Sequence, residues 1–149
     1  MQNGRTWLMI AAFNNDIKEV TKELLYNVKD PNLVDEFGQS ALHFANYSSS
    51  GIPRITELLI SHGANVNLKD FGGKTPLFWA ACNGNEESCR LLIDNGADCN
   101  AQDRDGNTPF YWAKLKGQTH VCNLLREHED SADDRKISKL RRTWEKLSF

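Results

Sequence analysis

The sequence predicts an all-α fold, a solenoid of helix–turn–helix units joined by projecting turns. Three observations carry that prediction. Gly73-Lys74-Thr75-Pro76-Leu77-Phe78-Trp79-Ala80 and Gly106-Asn107-Thr108-Pro109-Phe110-Tyr111-Trp112-Ala113 share Gly, Thr, Pro, Trp and Ala at an offset of 33 residues. The register holds downstream, for Gly84 and Gly117, Cys89 and Cys122, and Leu91-Leu92 and Leu124-Leu125. Upstream the pattern returns at Gly38-Gln39-Ser40-Ala41-Leu42-His43-Phe44-Ala45 and Gly4-Arg5-Thr6-Trp7-Leu8, 35 and then a further 34 residues earlier. Self-similarity at a fixed period marks stacked units, each burying its apolar face on its neighbours.

Within a unit the elements come in a fixed order. Thr75 and Thr108 can cap a helix by accepting from early backbone N–H groups, and Pro76 and Pro109 suit the first helical position. A short helix of Leu, Ala and aromatic residues comes next and ends near Gly84 or Gly117. A second helix runs from Glu87 to Asp94 with Leu91-Leu92 toward the core, and Gly96 supplies a left-handed C-terminal residue. Asn100 to Gly106, rich in Asn, Asp and Gly, reads as a tight turn that projects before the next cap. His62-Gly63-Ala64-Asn65-Val66-Asn67 matches Asn95-Gly96-Ala97-Asp98-Cys99-Asn100, and Lys29-Asp30-Pro31-Asn32 is a degenerate copy. The two extra residues of the second unit fall between Ala45 and Gly51.

Composition removes several function classes. The 149 residues carry 18 Lys+Arg against 20 Asp+Glu, a net charge of -2, which argues against a globally basic nucleic-acid binder. The longest apolar run, Trp7 to Phe13, is seven residues, where a membrane span needs about 20. No transmembrane segment is expected. The start, Met1-Gln2-Asn3-Gly4-Arg5, lacks the pattern of a secretory signal, so a reducing, intracellular setting (cytoplasmic, nuclear or both) is expected. Cys82, Cys89, Cys99 and Cys122 contain no CxxC pair and read as free, mostly buried thiols, with no metal site. His43, His62, His120 and His128 form no nucleophile–base set, and the Gly72-Gly73-Lys74-Thr75 run lacks the upstream Gly of a phosphate loop. Neither catalysis nor a cofactor is expected.

These residues resemble the ankyrin repeat family. Thr75-Pro76-Leu77-Phe78-Trp79-Ala80-Ala81 and Ser40-Ala41-Leu42-His43-Phe44-Ala45 look like its TPLHxAA signature, and Gly63-Ala64-Asn65-Val66-Asn67 and Gly96-Ala97-Asp98-Cys99-Asn100 look like its GADVN segment. The resemblance implies paired antiparallel helices in a curved solenoid with β-hairpin fingers along one edge. It assigns residues 1–130 to the repeat domain, in units of about 3–36, 37–70, 71–103 and 104–130, and 131–149 to a tail. Val28 in place of Gly, and Glu127-His128-Glu129-Asp130 in place of GADVN, depart from the pattern in the terminal units. The family also implies a monomeric, non-catalytic adaptor, scaffold or inhibitor that binds a protein partner through its concave face and fingers.

Transferred position by position, the finger contacts are Glu36, Phe37 and Gln39; Phe71, Gly72 and Lys74; and Arg104, Asp105 and Asn107. The first helices add Phe13 and Asn14, Tyr47 and Ser48, Cys82 and Asn83, and Leu115 and Lys116. Phe37 and Phe71 either stand exposed as anchors or fold back on the neighbouring finger. Trp79 and Trp112, with Phe44 in the equivalent place, either line a groove or pack between units, and packing is favoured. His43 is expected to lock loops, while Phe78 and Tyr111 replace that His and are expected to pack. Asn67 and Asn100 fall where some members of the family are hydroxylated.

The tail changes character. Residues 127–134 hold five acids and no base, whereas residues 135–146 hold six bases (Arg135, Lys136, Lys139, Arg141, Arg142 and Lys146) against Glu145. Ile137, Leu140, Trp144 and Leu147 fall on one face of an amphipathic helix. That helix either caps the last unit, docks to an acidic protein, or contacts an anionic membrane or nucleic acid. The alternative to the interaction module is therefore a regulatory or targeting protein acting through this basic tail.

Overall fold

Helices begin where the repeat places a hydroxyl residue or proline before an apolar run. The computed structural model describes residues 2–27, 30–47, 50–128 and 146. The first pair is α1 (Trp7–Phe13) and α2 (Ile17–Lys22), which widens into a π-helical turn over Glu23–Asn27. Next come α3 (Ala41–Ala45) with α4 (Pro53–Ser61), and α5 (Pro76–Cys82) with α6 (Glu86–Asp94). The last pair is α7 (Pro109–Leu115) and α8 (119–128). Helices α1, α3, α5 and α7 stack in order as an inner row, and α2, α4 and α6 as an outer row. Ser48 and the tail residues Arg135, Lys136, Lys139, Arg141, Arg142 and Trp144 lie outside the described residues.

No unit has a core of its own. Leu8, Ala12 and Val20 continue into Leu42, Ile55 and Leu59, then Leu77, Ala80 and Leu92, then Val121, Leu124 and Leu125, as one apolar layer. A buried leucine contributes about 2 kcal/mol, against about 1 kcal/mol net for a hydrogen bond. Packing therefore holds the stack together, and hydrogen bonds set its register. The Leu91-Leu92 expectation holds for Leu92 alone: Leu91 is half-buried, because adjacent helical residues diverge by about 100°.

Each finger is built on a buried aspartate. Asp35 Oδ1 accepts from the N–H groups of Phe37 (2.9 Å) and Gln39 (3.0 Å). Asp70 Oδ1 accepts from Gly72 and Lys74 (both 2.9 Å), and Asp103 Oδ1 from Asp105 (3.0 Å) and Asn107 (2.9 Å). The backbone closes each turn, with Asp35 N–H donating to Gln39 O, Asp70 to Lys74 O and Asp103 to Asn107 O. These bonds consume the groups that paired strands would share. The expected β-hairpins are consequently tight turns, and no strand forms among the described residues.

Three further sets of bonds tie neighbouring units together, the first at every boundary and the other two at some. Finger backbones meet directly: Glu36 N–H donates to Asn3 O, Phe71 to Phe37 O and Arg104 to Gly72 O. Asn32 donates to Gly63 O (3.0 Å) and accepts from Asn65 N–H (2.7 Å); Asn67 repeats this with Gly96 O (2.9 Å) and Asp98 N–H (2.8 Å). His43 is fully buried. Its Nδ1 accepts from Ser40 N–H (3.1 Å), and its Nε2–H donates to Lys74 O (3.0 Å). A carbonyl can only accept, so the ring is the neutral Nε2–H tautomer.

The equivalents of His43 explain two departures from expectation. Phe78 packs as expected, buried in the stack, but its ring has no acceptor and its N–H donates to Thr75 O at 3.1 Å, not to the hydroxyl. The Thr75 hydroxyl is left buried without a partner rather than capping α5. Thr108 does cap α7, accepting from Tyr111 N–H at 3.3 Å. Tyr111 does not pack: it is 47% exposed, its ring edge-on to Trp112, because α7 belongs to the last described pair and no described unit covers it. In the first unit Met9 Sδ takes the bond from Thr6 N–H at 3.3 Å.

Asn67→Ala removes both bridging bonds and is expected to cost about 1–2 kcal/mol in urea unfolding, while Asn100→Ala, whose side chain makes no such bridge among the described residues, stays within about 0.5 kcal/mol. Burial lowers the His43 pKa below 6.5, against weaker raising effects from the Lys74 carbonyl and Asp70. The unfolded chain thus binds the proton first, and the His43 contribution is complete above pH 6.5 and lost progressively as pH falls below it. Denaturant midpoints measured between neutral and acid pH should fall less steeply in His43→Gln than in the parent.

Candidate functional site

The inner row and the fingers meet along one face, and its chemistry is aromatic and cationic. The sequence of the inner helices puts a ring at or just after the end of each turn. Phe13 meets Phe44 (6.3 Å between centroids) and Tyr47 (6.4 Å), Phe44 meets Tyr47 (5.2 Å), and Tyr47 meets Trp79 (4.5 Å). Arg5 stands over the Phe44 ring at 5.0 Å, its Nε 3.7 Å from Asp35 Oδ2. Lys74, at the root of its finger, lies between two indoles, with Nζ 4.4 Å from the Trp112 ring and 5.1 Å from that of Trp79. Such contacts are worth about 0.5–1 kcal/mol where solvent reaches them.

A cleft of about 210 Å³ opens here, lined by Lys74, Phe78, Trp79, Cys82, Trp112 and Lys116. Trp112 Nε1 donates to Asp103 Oδ2 at 2.9 Å, whereas the buried Trp79 Nε1 has no acceptor. Burial raises the Asp103 pKa, but the Trp112 bond, the Asn107 and Asp105 N–H groups and the Lys74 charge outweigh it and hold the carboxyl below its usual value. Asp103 therefore stays ionised behind the indole.

Of the residues expected to make contacts, Phe13, Asn14, Glu36, Phe37, Phe71, Gly72, Arg104, Asp105, Leu115 and Lys116 are exposed. Gln39, Tyr47, Lys74, Cys82, Asn83 and Asn107 are half-buried. Two of these are already engaged: Asn83 donates to Asn46 O (2.9 Å) and Tyr47 O (2.8 Å), and Gln39 bonds the Tyr47 side chain. Phe71 combines both alternatives, lying against Gly38 of the preceding finger yet remaining 58% exposed, and Phe37 is 50% exposed. Trp79 and Trp112 are half-buried groove residues as well as packing residues. The sequence reading passed over Arg5 and the pairing of Lys74 with both indoles. The position of the cations had a signal in the repeat, one residue before the Thr that opens the helix at Arg5 and again at Lys74, but the pairing of Lys74 with two indoles had none.

Away from this face, Cys89 of α6 is fully buried. Burial pushes the Cys89 thiol up to about 12, with Cys99 and Glu86 adding to it, so it stays protonated and unreactive. No disulfide joins any of the four cysteines. No group of His, Cys, Asp and Glu suited to a metal ion, and no helix long and apolar enough to cross a membrane, occurs among the described residues.

Comparison with known proteins gives a consistent picture. The family described as Ankyrin repeats (3 copies) matches residues 8–103, ending before the fourth helix pair. Protein phosphatase 1 regulatory subunit 12A of Mus musculus is 47% identical over 53 residues, 36% of this chain and 5% of that protein. Inversin-A of Xenopus laevis is 41% identical over 54 residues, 36% of this chain and 5% of that protein. A transient receptor potential cation channel subfamily A member 1 homolog of Caenorhabditis elegans is 33% identical over 89 residues, 60% of this chain and 7% of that protein. The chain thus matches only a small part of the length of these relatives.

The seat of Phe71 can be tested by substitution. Gly38 has φ 76°, and a Cβ there would lie 2.7 Å from the Phe71 ring; Gly63 has φ 91° with nothing within 4 Å. Gly63→Ala is expected to cost about 1–2 kcal/mol for the left-handed backbone alone, and Gly38→Ala more. In a Phe71→Ala background the excess should shrink, as read from thermal or urea midpoints.

Proposed function

The chain belongs to the ankyrin-repeat family, whose repeats generally mediate protein–protein interaction, and from that premise we propose that it is a non-catalytic interaction module of the adaptor, scaffold or inhibitor kind. It binds a protein partner through its concave face and finger turns. One observation carries this reading: the rings of Phe13, Phe44, Tyr47 and Trp79 run in unbroken contact along the face from which Phe37 and Phe71 project. Aromatic residues that are held rigid and reach solvent supply most of the binding energy at protein interfaces. The outer row has a different character, richer in charge and poorer in rings, with the ion pairs Lys22–Glu19, Arg54–Glu57 and Arg90–Glu86. Four cysteines with no disulfide between them support an intracellular, reducing setting.

Residues 1–130 act as the binding unit in this reading, and the basic segment of 131–149 is accessory. With a partner captured by the intact chain, Phe37→Ala combined with Phe71→Ala is expected to weaken binding about tenfold or more. Arg54→Ala combined with Arg90→Ala, on the outer row, should leave it unchanged. Unaltered circular dichroism and thermal midpoints would exclude misfolding. Loss of binding on charge reversal at Arg135, Lys136, Lys139, Arg141 and Arg142, with no effect of the finger variants, would overturn the proposal in favour of the tail.

A further inference from the structure

We propose that the groove selects acidic segments, taking an extended peptide that places a carboxylate beside Lys74 and Lys116 and an apolar side chain against Trp79 and Trp112. This deepens the interaction-module reading and rests on it. The argument is charge segregation between the two rows. Helices α1, α3 and α5 contain no charged residue, and α7 contains only Lys114. The outer helices α2, α4 and α6 carry five acids, Glu19, Glu57, Glu86, Glu87 and Asp94, against four cations, Lys18, Lys22, Arg54 and Arg90, of which the last three are paired with Glu19, Glu57 and Glu86.

On the groove side the balance reverses. Lys74 and Lys116 line one cleft, and neither forms an ion pair with any described residue. The nearby carboxylates are committed to the scaffold: Asp70 to its finger N–H groups, and Asp103 to its finger and to Trp112 Nε1. Lys74 is also held in place by its position between two rings, so little side-chain freedom remains to be lost on binding. A partner supplying both a carboxylate and an apolar neighbour would satisfy the ammonium groups and cover the indoles together.

A nucleic acid also combines anions with stacking faces. The geometry favours the peptide, because the finger beside the cleft exposes Asp105 next to Arg104 and an earlier finger exposes Glu36, acids that a continuous phosphate backbone running along the face would have to pass. A short segment with one well-placed carboxylate avoids them.

The test is selection of a random-peptide library on the immobilised full chain, followed by calorimetric titration of the selected synthetic peptides. Enriched peptides should carry Asp or Glu next to an aromatic or aliphatic residue and should weaken as salt rises. Lys74→Gln should reduce their affinity about tenfold, and replacing the peptide's acid by its amide should give a similar loss that is not additive with Lys74→Gln. The variant keeps the finger, because Lys74 bonds Asp70 and His43 through its backbone. Three results would overturn the proposal: no enrichment, peptides without acids, or equal affinity for Lys74→Gln. An oligothymidylate that binds more tightly than the selected peptides would assign the cleft to nucleic acid instead. Selected peptides that lack acids but are lost on Trp79→Ala would sink the acidic preference while leaving the interaction-module reading standing. If no peptide is enriched and neither the Trp79 nor the finger variants change partner capture, both fail.

Discussion

A buried carboxylate at the foot of each finger is the constraint on which the rest of the molecule depends. Removing Asp35, Asp70 or Asp103 from water is unfavourable, and only a dense set of donors offsets it. Each finds two backbone N–H groups within its own finger, and those bonds shape the turn. Once the turn is shaped, its backbone is presented to the next finger and its final carbonyl to the preceding helix, as Lys74 O is to His43. The helix pairs then stack in register because their ends are already positioned. Order propagates from the aspartates outward.

This arrangement separates scaffold from surface. The finger turn needs only an Asp, a Gly and backbone amides, so the tip side chains are not required for its shape. Phe37, Phe71 and Arg104 are therefore presented at little structural cost, and Lys74 can lie across two indoles while its backbone serves the fold. The same division places helix-surface ion pairs on the outer row and, on the inner one, cations over rings. An aromatic face of this size on an isolated globule would be a hazard, but here the cations keep it hydrated.

Much of the fold was legible in the sequence because periodicity is a long-range signal. A residue that recurs at a fixed offset must meet its equivalents in space, so the helix pairs and their order could be read directly. The features that escaped were decided by pairs of residues rather than by the repeat. Thr75 fits the pattern as well as Thr108 does, yet the Phe78 N–H bonds its carbonyl and leaves its hydroxyl idle, whereas the Tyr111 N–H bonds the Thr108 hydroxyl. Tyr111 fits a packing position, but its exposure depends on whether a further unit stacks against α7. The groove was half legible. Trp79 and Trp112 stood out as equivalents, yet their relation to Lys74 crosses a unit boundary and has no sequence spacing to announce it.

The bonds between units run from each to the next. Asn67 reaches Gly96 and Asp98, His43 reaches Lys74, and none of these spans two boundaries. Such a molecule behaves mechanically as a chain of clasps in series. Tension applied at its two ends would pass through every interface in turn, and the weakest would open first while the others stayed shut. Lys74 bridges the boundary between α5 and α7, its ammonium against Trp112 on one side and Trp79 on the other. Parting that boundary would separate the two indoles, so load on the chain would be felt at the groove.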